Sequence, residues 1–421
     1  MTGTRSSSAT RAVFTPGQLG PLTLRNHVIK SATFEGMTRG GAVSDALIEF
    51  HRRMAAGGVG MTTLAYVSVS SDGRTYRHQL WMREEALPRM RALTDAVHAE
   101  GALAAVQLGH AGYFAGKAAI GTTPVGPSRV FNPAGLAFSR AAGEADLDRI
   151  AGDFARAGTL AVSAGFDALE IHLGHGYLLS QFLSPFTNRR RDGYGGDIRS
   201  RAAFPRRVLR AVRAAVSAAS GGDRVAVYAK LNMDDGFAGG LSPGDGVEVA
   251  RMLEADGTVD ALELTGGFTS KTPMYLMRGG VPLAEMIAHE RSAIRRLGLR
   301  VAGRQFMRAY PFEEAFFLPH ARQVRAAVSL PLILLGGITR LDTMEQAMAE
   351  GFEFVAMARA LLREPDLISR MRQGQASGSA CDHCNTCVTE MEVRGTRCVF
   401  VPEQDWMTGP RWRAGQPGGA S

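Results

Sequence analysis

The chain has 421 residues, of which 45% are apolar and 50 are glycine, and its formal net charge is +8. This composition is typical of a well-buried α/β enzyme and excludes a disordered or fibrous chain. Arginines are spread along the whole sequence, and no basic run is interleaved with aromatic residues. We therefore predict a solvated basic surface and no nucleic-acid partner, while an anionic substrate or a docking redox partner stays open.

Three further features bear on where the protein works. No stretch approaches the ~18–20 continuous apolar residues that cross a bilayer, so we expect no membrane association. Residues 1–11 lack the apolar core of a secretory signal. All four cysteines fall between Cys381 and Cys398, which indicates one local site and no dispersed disulfide framework. We expect a cytoplasmic enzyme, and homo-oligomer formation stays open.

Short apolar runs alternate with amphipathic helical patterns, which indicates βα units and a parallel sheet. Strands are predicted at residues 28–32, 60–67, 103–108, 168–172, 225–231, 261–264, 330–335 and 354–358. Helices are predicted at residues 45–55, 88–100, 146–164, 201–218, 245–255, 311–328, 341–349 and 366–373. Eight such units predict an α/β fold, a TIM (β/α)8 barrel, with catalytic groups at the carboxyl ends of the strands.

The predicted barrel occupies residues 12–375, and residues 376–421 form a short C-terminal extension that contains the cysteines. Two connections are longer than the ~2–6 residues of a plain βα loop. Residues 109–142 follow the third strand, and residues 265–310 follow the sixth and hold a helical stretch near 283–296. We expect both connections to roof the active site.

The most informative motif follows the fourth strand. The apolar run 166–171 ends directly in His172, His175 and Tyr177. Two imidazoles and a phenol at the carboxyl end of a buried strand supply hydrogen-bond donors for an oxyanion and one proton donor. Ordinary loop histidines that bond to backbone groups are the alternative, but the neighbouring phenol favours a catalytic role.

Several strings resemble the Old Yellow Enzyme family of FMN-dependent oxidoreductases, across residues 14–372. The strings are LRNHVIKSA at 24–32, QLGHAG at 107–112, EIHLGHGYLLSQFLSP at 170–185, NRRRDGYGG at 188–196, KLN at 230–232, GG at 336–337 and MAR at 357–359. Their order along the chain makes the match specific. The resemblance implies an FMN-binding TIM barrel that uses NADH or NADPH as reductant.

The resemblance also implies where FMN binds. Gly336 and Gly337 allow close approach of a phosphate, and Arg359 can grip it with a planar fork. Gln107 suits the pyrimidine edge of the flavin, and Lys230 can stabilise negative charge on the reduced ring. The remaining predicted flavin contacts are Ser31, Ala32, Thr33 and Ala358.

The cysteines form one candidate metal site, made of Cys381, Cys384, Cys387 and Cys398. Two CxxC spacings and a remote fourth thiolate can wrap one metal centre. The segment looks like the iron–sulfur segment of trimethylamine dehydrogenase and 2,4-dienoyl-CoA reductase. A four-iron four-sulfur cluster, a structural zinc ion and a site without metal all stay open, because spacing alone does not separate iron from zinc.

The leading functional hypothesis is hydride transfer from NAD(P)H through FMN to an activated alkene. His172 and His175 would polarise the substrate oxygen, and Tyr177 would protonate the α-carbon. One alternative is a flavin-dependent amine dehydrogenase that passes electrons through the cysteine site to an external redox partner. The other is a flavin electron-transfer protein without a substrate of its own, although the three donors argue against it.

Overall fold

A computed structural model describes residues 11–132, 137–290, 292–391 and 393–402, so the end of the predicted extension lies outside the described residues. At its centre, eight parallel strands close into a barrel in chain order, which confirms the predicted TIM barrel. The strands are β1 (Val28–Lys30), β2 (Met61–Ser68), β3 (Leu103–Gly109), β4 (Ala168–Leu173), β5 (Ala226–Asn232), β6 (Ala261–Thr265), β7 (Leu332–Leu335) and β8 (Phe354–Met357).

Helices alternate with these strands and pack around the barrel. They are α1 (Asp45–Ala56), α2 (Leu87–His98), α3 (Lys117–Ile120), α4 (Glu144–Ser163), α5 (Leu178–Leu183), α6 (Ile198–Ser220), α7 (Pro243–Asp256), α8 (Leu283–His289), α9 (Ala293–Phe306), α10 (Leu318–Arg325), α11 (Leu341–Ala349), α12 (Arg359–Arg363) and α13 (Leu367–Arg372). In the described part of the chain, no helix is both long enough and apolar enough to traverse a bilayer.

Local sequence signals set the ends of the long helices. The Ser44 hydroxyl accepts a hydrogen bond from the Leu47 N–H and so caps α1. Ser242 and Asp245 cap α7 reciprocally, and Gly257 ends it with a φ of 62° in the left-handed region. Such caps satisfy backbone groups that have no partner inside the helix, so they position each helix against its strand.

Two apolar layers stabilise the barrel. A large cluster lies between the strands and the helices, and a smaller one fills the barrel interior. The interior cluster includes Leu19 and Leu24 from a hairpin that precedes β1, together with Phe354 at the start of β8. The hairpin therefore closes the amino-terminal end of the barrel and leaves the carboxyl rim for the chemistry.

Two helix predictions were wrong in detail. The helix predicted at 311–328 is shortened to α10, because Ala315 adopts a left-handed conformation with a φ of 51° that a helix excludes. The helical stretch predicted near 283–296 is two helices, α8 and α9. Ser292 separates them and caps α9 by accepting a hydrogen bond from the Arg295 N–H.

The composition of the interior cluster predicts a large stability cost when one of its aromatic rings is truncated. Phe354 is fully buried, so Phe354→Ala should lower the free energy of unfolding by about 3–5 kcal/mol. Val301→Ala, at a side chain that is 79% exposed on α9, should change it by less than about 0.5 kcal/mol. Urea unfolding of both variants checks this, and equal losses would contradict the assignment of Phe354 to the core.

Candidate active site

The residues predicted for catalysis and flavin binding lie at the carboxyl ends of the barrel strands or directly after them. They are Ser31, Ala32 and Thr33 after β1, Gln107 in β3, His172 in β4, His175 and Tyr177 after β4, Lys230 in β5, Gly336 and Gly337 after β7, and Ala358 and Arg359 after β8. Because all eight strands are parallel, these ends meet on a single rim. Residues more than 300 positions apart in sequence, such as Ser31 and Arg359, therefore share one face of the barrel.

His172, His175 and Tyr177 form one ring cluster on this rim. The His172 ring centroid lies 5.1 Å from that of His175 and 5.0 Å from that of Tyr177. The chain after β4 turns sharply, since His175 has a φ of 61°. Asn232 accepts a hydrogen bond from the His175 N–H at 3.0 Å, and the Thr269 N–H donates to the His175 carbonyl at 3.0 Å. These bonds lock the turn and fix the positions of the three rings.

The hydrogen bonds of His172 define which ring nitrogen carries its proton. The Gly174 N–H donates to Nδ1 of His172 at 3.3 Å, so Nδ1 is an acceptor and Nε2 carries the proton. Burial holds the pKa of His172 well below its usual value, and the neighbouring His175 and the Lys230 charge lower it further. His172 is therefore a neutral donor at neutral pH.

His175 is neutral for similar reasons and has a fixed orientation. Burial, followed by the Lys230 charge, lowers the pKa of His175 to about 3. Its Nε2 lies 2.8 Å from the Thr265 hydroxyl at the end of β6. The two imidazoles thus stand nearly perpendicular, with an interplanar angle of 84°, and neither carries a charge at neutral pH.

Tyr177 keeps its proton over the whole physiological range. Burial raises the pKa of Tyr177 to about 12, against an opposing hydrogen bond with Thr269. Its ring packs against Tyr66 and Phe114, with centroid distances of 5.1 and 5.9 Å. The sequence analysis did not assign Phe114 or Thr269 to the site, because both lie in the two long connections, where periodicity gives no register.

Below these rings, Lys230 forms a buried charge cluster with two glutamates. Its Nζ lies 2.9 Å from Glu170 and 3.1 Å from Glu263. Gln107 donates to the other Glu170 oxygen at 3.1 Å, and the Ser31 hydroxyl donates to Glu263 at 2.7 Å. Neither glutamate was predicted from the sequence. The available signal was a carboxylate inside each of two apolar strands, β4 and β6.

The predicted phosphate corner lies after β7 and β8. Gly336 and Gly337 have φ values of 107° and 76°, and a β-carbon at Gly337 would come within 2.7 Å of Phe316. Arg278, which the sequence analysis missed, places its guanidinium over the same Phe316 ring, 4.7 Å from its centroid. Its buried Nε has no hydrogen-bond partner among the described residues. Arg359 donates to the Arg278 carbonyl at 2.9 Å.

The four cysteines line one cavity of about 410 Å³ behind Arg359. All four are free thiols, and Arg363 lies 3.7 Å from the Cys398 sulfur. Within ranges 11–132, 137–290, 292–391 and 393–402, no group of three or more His, Cys, Asp or Glu side chains is arranged to hold a single metal ion. Arg359 also donates to the side-chain oxygen of Asn385, so the cysteine segment and the phosphate corner share one guanidinium.

A closed βα barrel thus holds neutral imidazoles and a phenol on its carboxyl rim, with a buried lysine below them, as in a barrel enzyme. Residues 12–257 match the NADH:flavin oxidoreductase / NADH oxidase family, and the chain belongs to that family. The chain is therefore an oxidoreductase of the Old Yellow Enzyme type that uses FMN, with NADH or NADPH as reductant, on small-molecule substrates. The predicted family, cofactor and reductant are confirmed.

Relatives support the family from their sequences, and a solved structure supports the fold. The chain is 51% identical to a 4,4'-dithiodibutanoate disulfide reductase of Rhodococcus erythropolis, over 94% of this chain and 96% of that protein. It is 32% identical to a metal reductase of Desulforamulus reducens, of which it spans only 50% while 89% of this chain is covered. The solved Old Yellow Enzyme homologue from Zymomonas mobilis shares the fold, with a TM-score of 0.67 at 22% identity over 88% of this chain and 95% of that one.

The phosphate corner predicts how flavin binding depends on Arg359. Arg359→Ala should weaken FMN binding roughly 10- to 100-fold, because a charge-assisted contact to an anion is lost. Arg322→Ala, which removes a surface guanidinium paired with Glu350, should leave FMN binding unchanged. Titration of each apoprotein with FMN, followed by flavin fluorescence, measures both constants. Equal affinities in the two variants would remove Arg359 from the phosphate site.

Proposed function

We propose that this chain reduces an activated alkene, such as an enone or an enoate, with electrons from NADH or NADPH. FMN, when bound, accepts a hydride from the nicotinamide and delivers a hydride to the substrate. The observation that carries the proposal is a pair of neutral donor side chains on the rim, whose ring centroids lie 5.0 Å apart. His172 presents its Nε2 proton there, and Tyr177 presents a protonated phenol.

Each side chain has a distinct role in this reaction. His172 and His175 would donate hydrogen bonds to the substrate oxygen, where negative charge grows as the β-carbon gains hydride. Tyr177 would give its proton to the α-carbon and regain one from solvent. The product then carries one added hydride and one added proton. The neutral state of both imidazoles suits this role, since a neutral donor stabilises an oxyanion without giving up its proton early.

The residues that would hold FMN form two groups on the rim, one for the phosphate and one for the flavin ring. Gly336, Gly337 and Arg359 would meet the phosphate, and the buried, unpaired Nε of half-buried Arg278 supports an anionic group at this corner. In the second group, Gln107 and Lys230 would meet the flavin ring. The predicted contacts of Ser31, Ala32, Thr33 and Ala358 are proposed on their position beside these groups.

A second candidate reaction is the reductive cleavage of an organic disulfide. It is favoured by the relative that is 51% identical and is named for 4,4'-dithiodibutanoate. One sulfur would gain a hydride as the sulfur–sulfur bond breaks, and the other would leave as a thiolate and take a proton. Both reactions develop negative charge on the substrate, which a hydrogen-bond or proton donor stabilises. The donors on the rim could therefore take part in either reaction.

Tyr177→Phe separates the two reactions. The variant keeps the ring and loses the proton donor, so NAD(P)H should still reduce the flavin at a near-normal rate. Reoxidation by an enone should slow roughly 100-fold, the usual scale for losing a general acid. Reoxidation by 4,4'-dithiodibutanoate should slow much less, because a thiolate is a stable leaving group near neutral pH. Anaerobic stopped-flow traces of each half-reaction give these rates.

Tyr194→Phe is the matched control, since it removes a phenol hydroxyl that bonds Glu144 at the surface. It should leave both half-reactions unchanged. If Tyr177→Phe reoxidises with an enone as fast as the wild type does, Tyr177 is not the proton donor. If the wild type reduces the disulfide and no activated alkene, the second candidate replaces the first.

We further propose that the four cysteines hold an iron–sulfur cluster and not a zinc ion. The support is geometric: the thiols surround a cavity of about 410 Å³, and no tight ligand set for one ion exists among the described residues. A zinc ion needs four sulfurs at ~2.3 Å from one point, whereas a cluster spreads its cysteine ligands more widely. When bound, it would supply one-electron exchange. The external redox partner, the cytoplasmic location and the homo-oligomer stay predictions.

The cluster proposal predicts metal content directly. Anaerobically purified protein should contain iron and acid-labile sulfide in equal amounts, and broad visible absorption should remain after the flavin is extracted. Cys387→Ser should lose both elements while keeping FMN. Elemental analysis with a sulfide assay measures this, and zinc without sulfide would overturn the proposal.

A further inference from the structure

The barrel interior contains more negative than positive charge directly below the rim. Lys230 Nζ is within 3.1 Å of carboxylate oxygens of both Glu170 and Glu263, and the three side chains are at most 1% exposed. The nearby Lys30 does not balance the excess, because its Nζ pairs with Glu35 at 2.9 Å. Two carboxyl groups therefore compete for one ammonium group in a buried site.

Strand register explains why these groups meet. Lys230 on β5 pairs with Glu263 on β6, and Glu170 on β4 pairs with Gln107 on β3. Four adjacent strands thus send polar side chains to one level of the barrel. His172 is the register partner of Lys230, so the histidines border this group of polar side chains. A change of charge in this group therefore changes the electrostatic potential at the rim.

The environment of Glu170 leaves it able to exchange a proton. Burial and then the Glu263 charge raise the pKa of Glu170 to about 8, against the opposing charge of Lys230. The other groups that face it are Tyr228 on β5 and Gln107 on β3, together with the more distant Lys30 on β1. None of these other groups supplies a second unpaired cation.

We propose that Glu170 and Glu263 are positioning residues that set the reduction potential of the flavin. Together they cancel the charge that Lys230 would otherwise offer to the reduced ring, which makes the reduced flavin a stronger hydride donor. Where Glu170 is ionised in the oxidised enzyme, it binds one proton when the flavin gains negative charge. The inference rests on the proposed placement of the flavin ring beside Lys230.

The reaction balances in charge and in atoms. A carbon–hydrogen bond of the nicotinamide breaks, and its hydride carries two electrons to the flavin while NAD(P)⁺ is released. The reduced flavin then carries one more negative charge than the oxidised flavin. Where Glu170 is ionised, one proton from solvent is taken up by its carboxylate and compensates for that charge. No further oxidant or reductant is needed.

The test is the midpoint potential of the flavin in the holoenzyme, measured anaerobically against redox dyes without substrate. Glu263→Gln removes one negative charge, so it should raise the ratio of reduced to oxidised flavin at a fixed potential at least tenfold, equivalent to ~30 mV for two electrons. Lys230→Met should shift the ratio in the opposite direction. Glu353→Gln, at a side chain that is 40% exposed, should leave this ratio unchanged.

The wild-type protein supplies an independent arm that needs no variant. Above about pH 8, where Glu170 is ionised in the oxidised enzyme, the ratio of reduced to oxidised flavin should fall an extra tenfold per pH unit. Glu170→Gln should remove this extra dependence. A wild-type pH dependence without a break, or an unchanged midpoint in flavin-replete Glu263→Gln, would overturn the proposal. Neither readout depends on which substrate the enzyme reduces, so failure of the proposed alkene reduction would be seen separately.

Discussion

Closure of the eight-stranded sheet is the constraint on which the rest of this structure depends. β8 hydrogen-bonds to β1, so Val355 pairs with Val28 across the join. Without that join, the groups after β1 and those after β8 would lie at opposite edges of an open sheet. With it, Ser31 reaches Glu263, more than 200 positions away in sequence, and donates a hydrogen bond at 2.7 Å. The site is a product of closure as much as of residue type.

Burial then determines what those residues can do. The same loss of water that keeps His172 and His175 neutral keeps Tyr177 protonated, because burial disfavours each charged form. Lys230 keeps its charge only because two carboxylates face it. Burial lowers the pKa of Lys230, and Glu170 and Glu263 outweigh this effect and raise it. One physical cause thus produces uncharged donors at the rim and a charged cluster one level below.

The sequence was sufficient for the strands and for the residues at their ends. Apolar runs mark strands of a barrel clearly, and a polar residue that ends such a run, such as His172 or Gln107, is easy to recognise. Glu170 and Glu263 were harder, because their importance comes from side chains on neighbouring strands that only the register brings together. Arg278 lies in a long connection and its guanidinium lies over the Phe316 ring, so no local pattern could place it. The early end of the predicted helix at 311–328 depends on one left-handed residue, Ala315, which alanine's helix preference hides.

The contact between the cysteine segment and the connection after β6 has a consequence for protein engineering. A β-carbon at Gly279 would lie 2.3 Å from the His383 carbonyl, and one at Gly280 would lie 2.9 Å from that of Cys384. Asn385 also donates to the Gly280 carbonyl at 2.9 Å. The two segments are therefore shaped to each other at backbone level. A chimera that takes its β6 connection from one homologue must take its cysteine segment from the same parent, since the two form one exchangeable module.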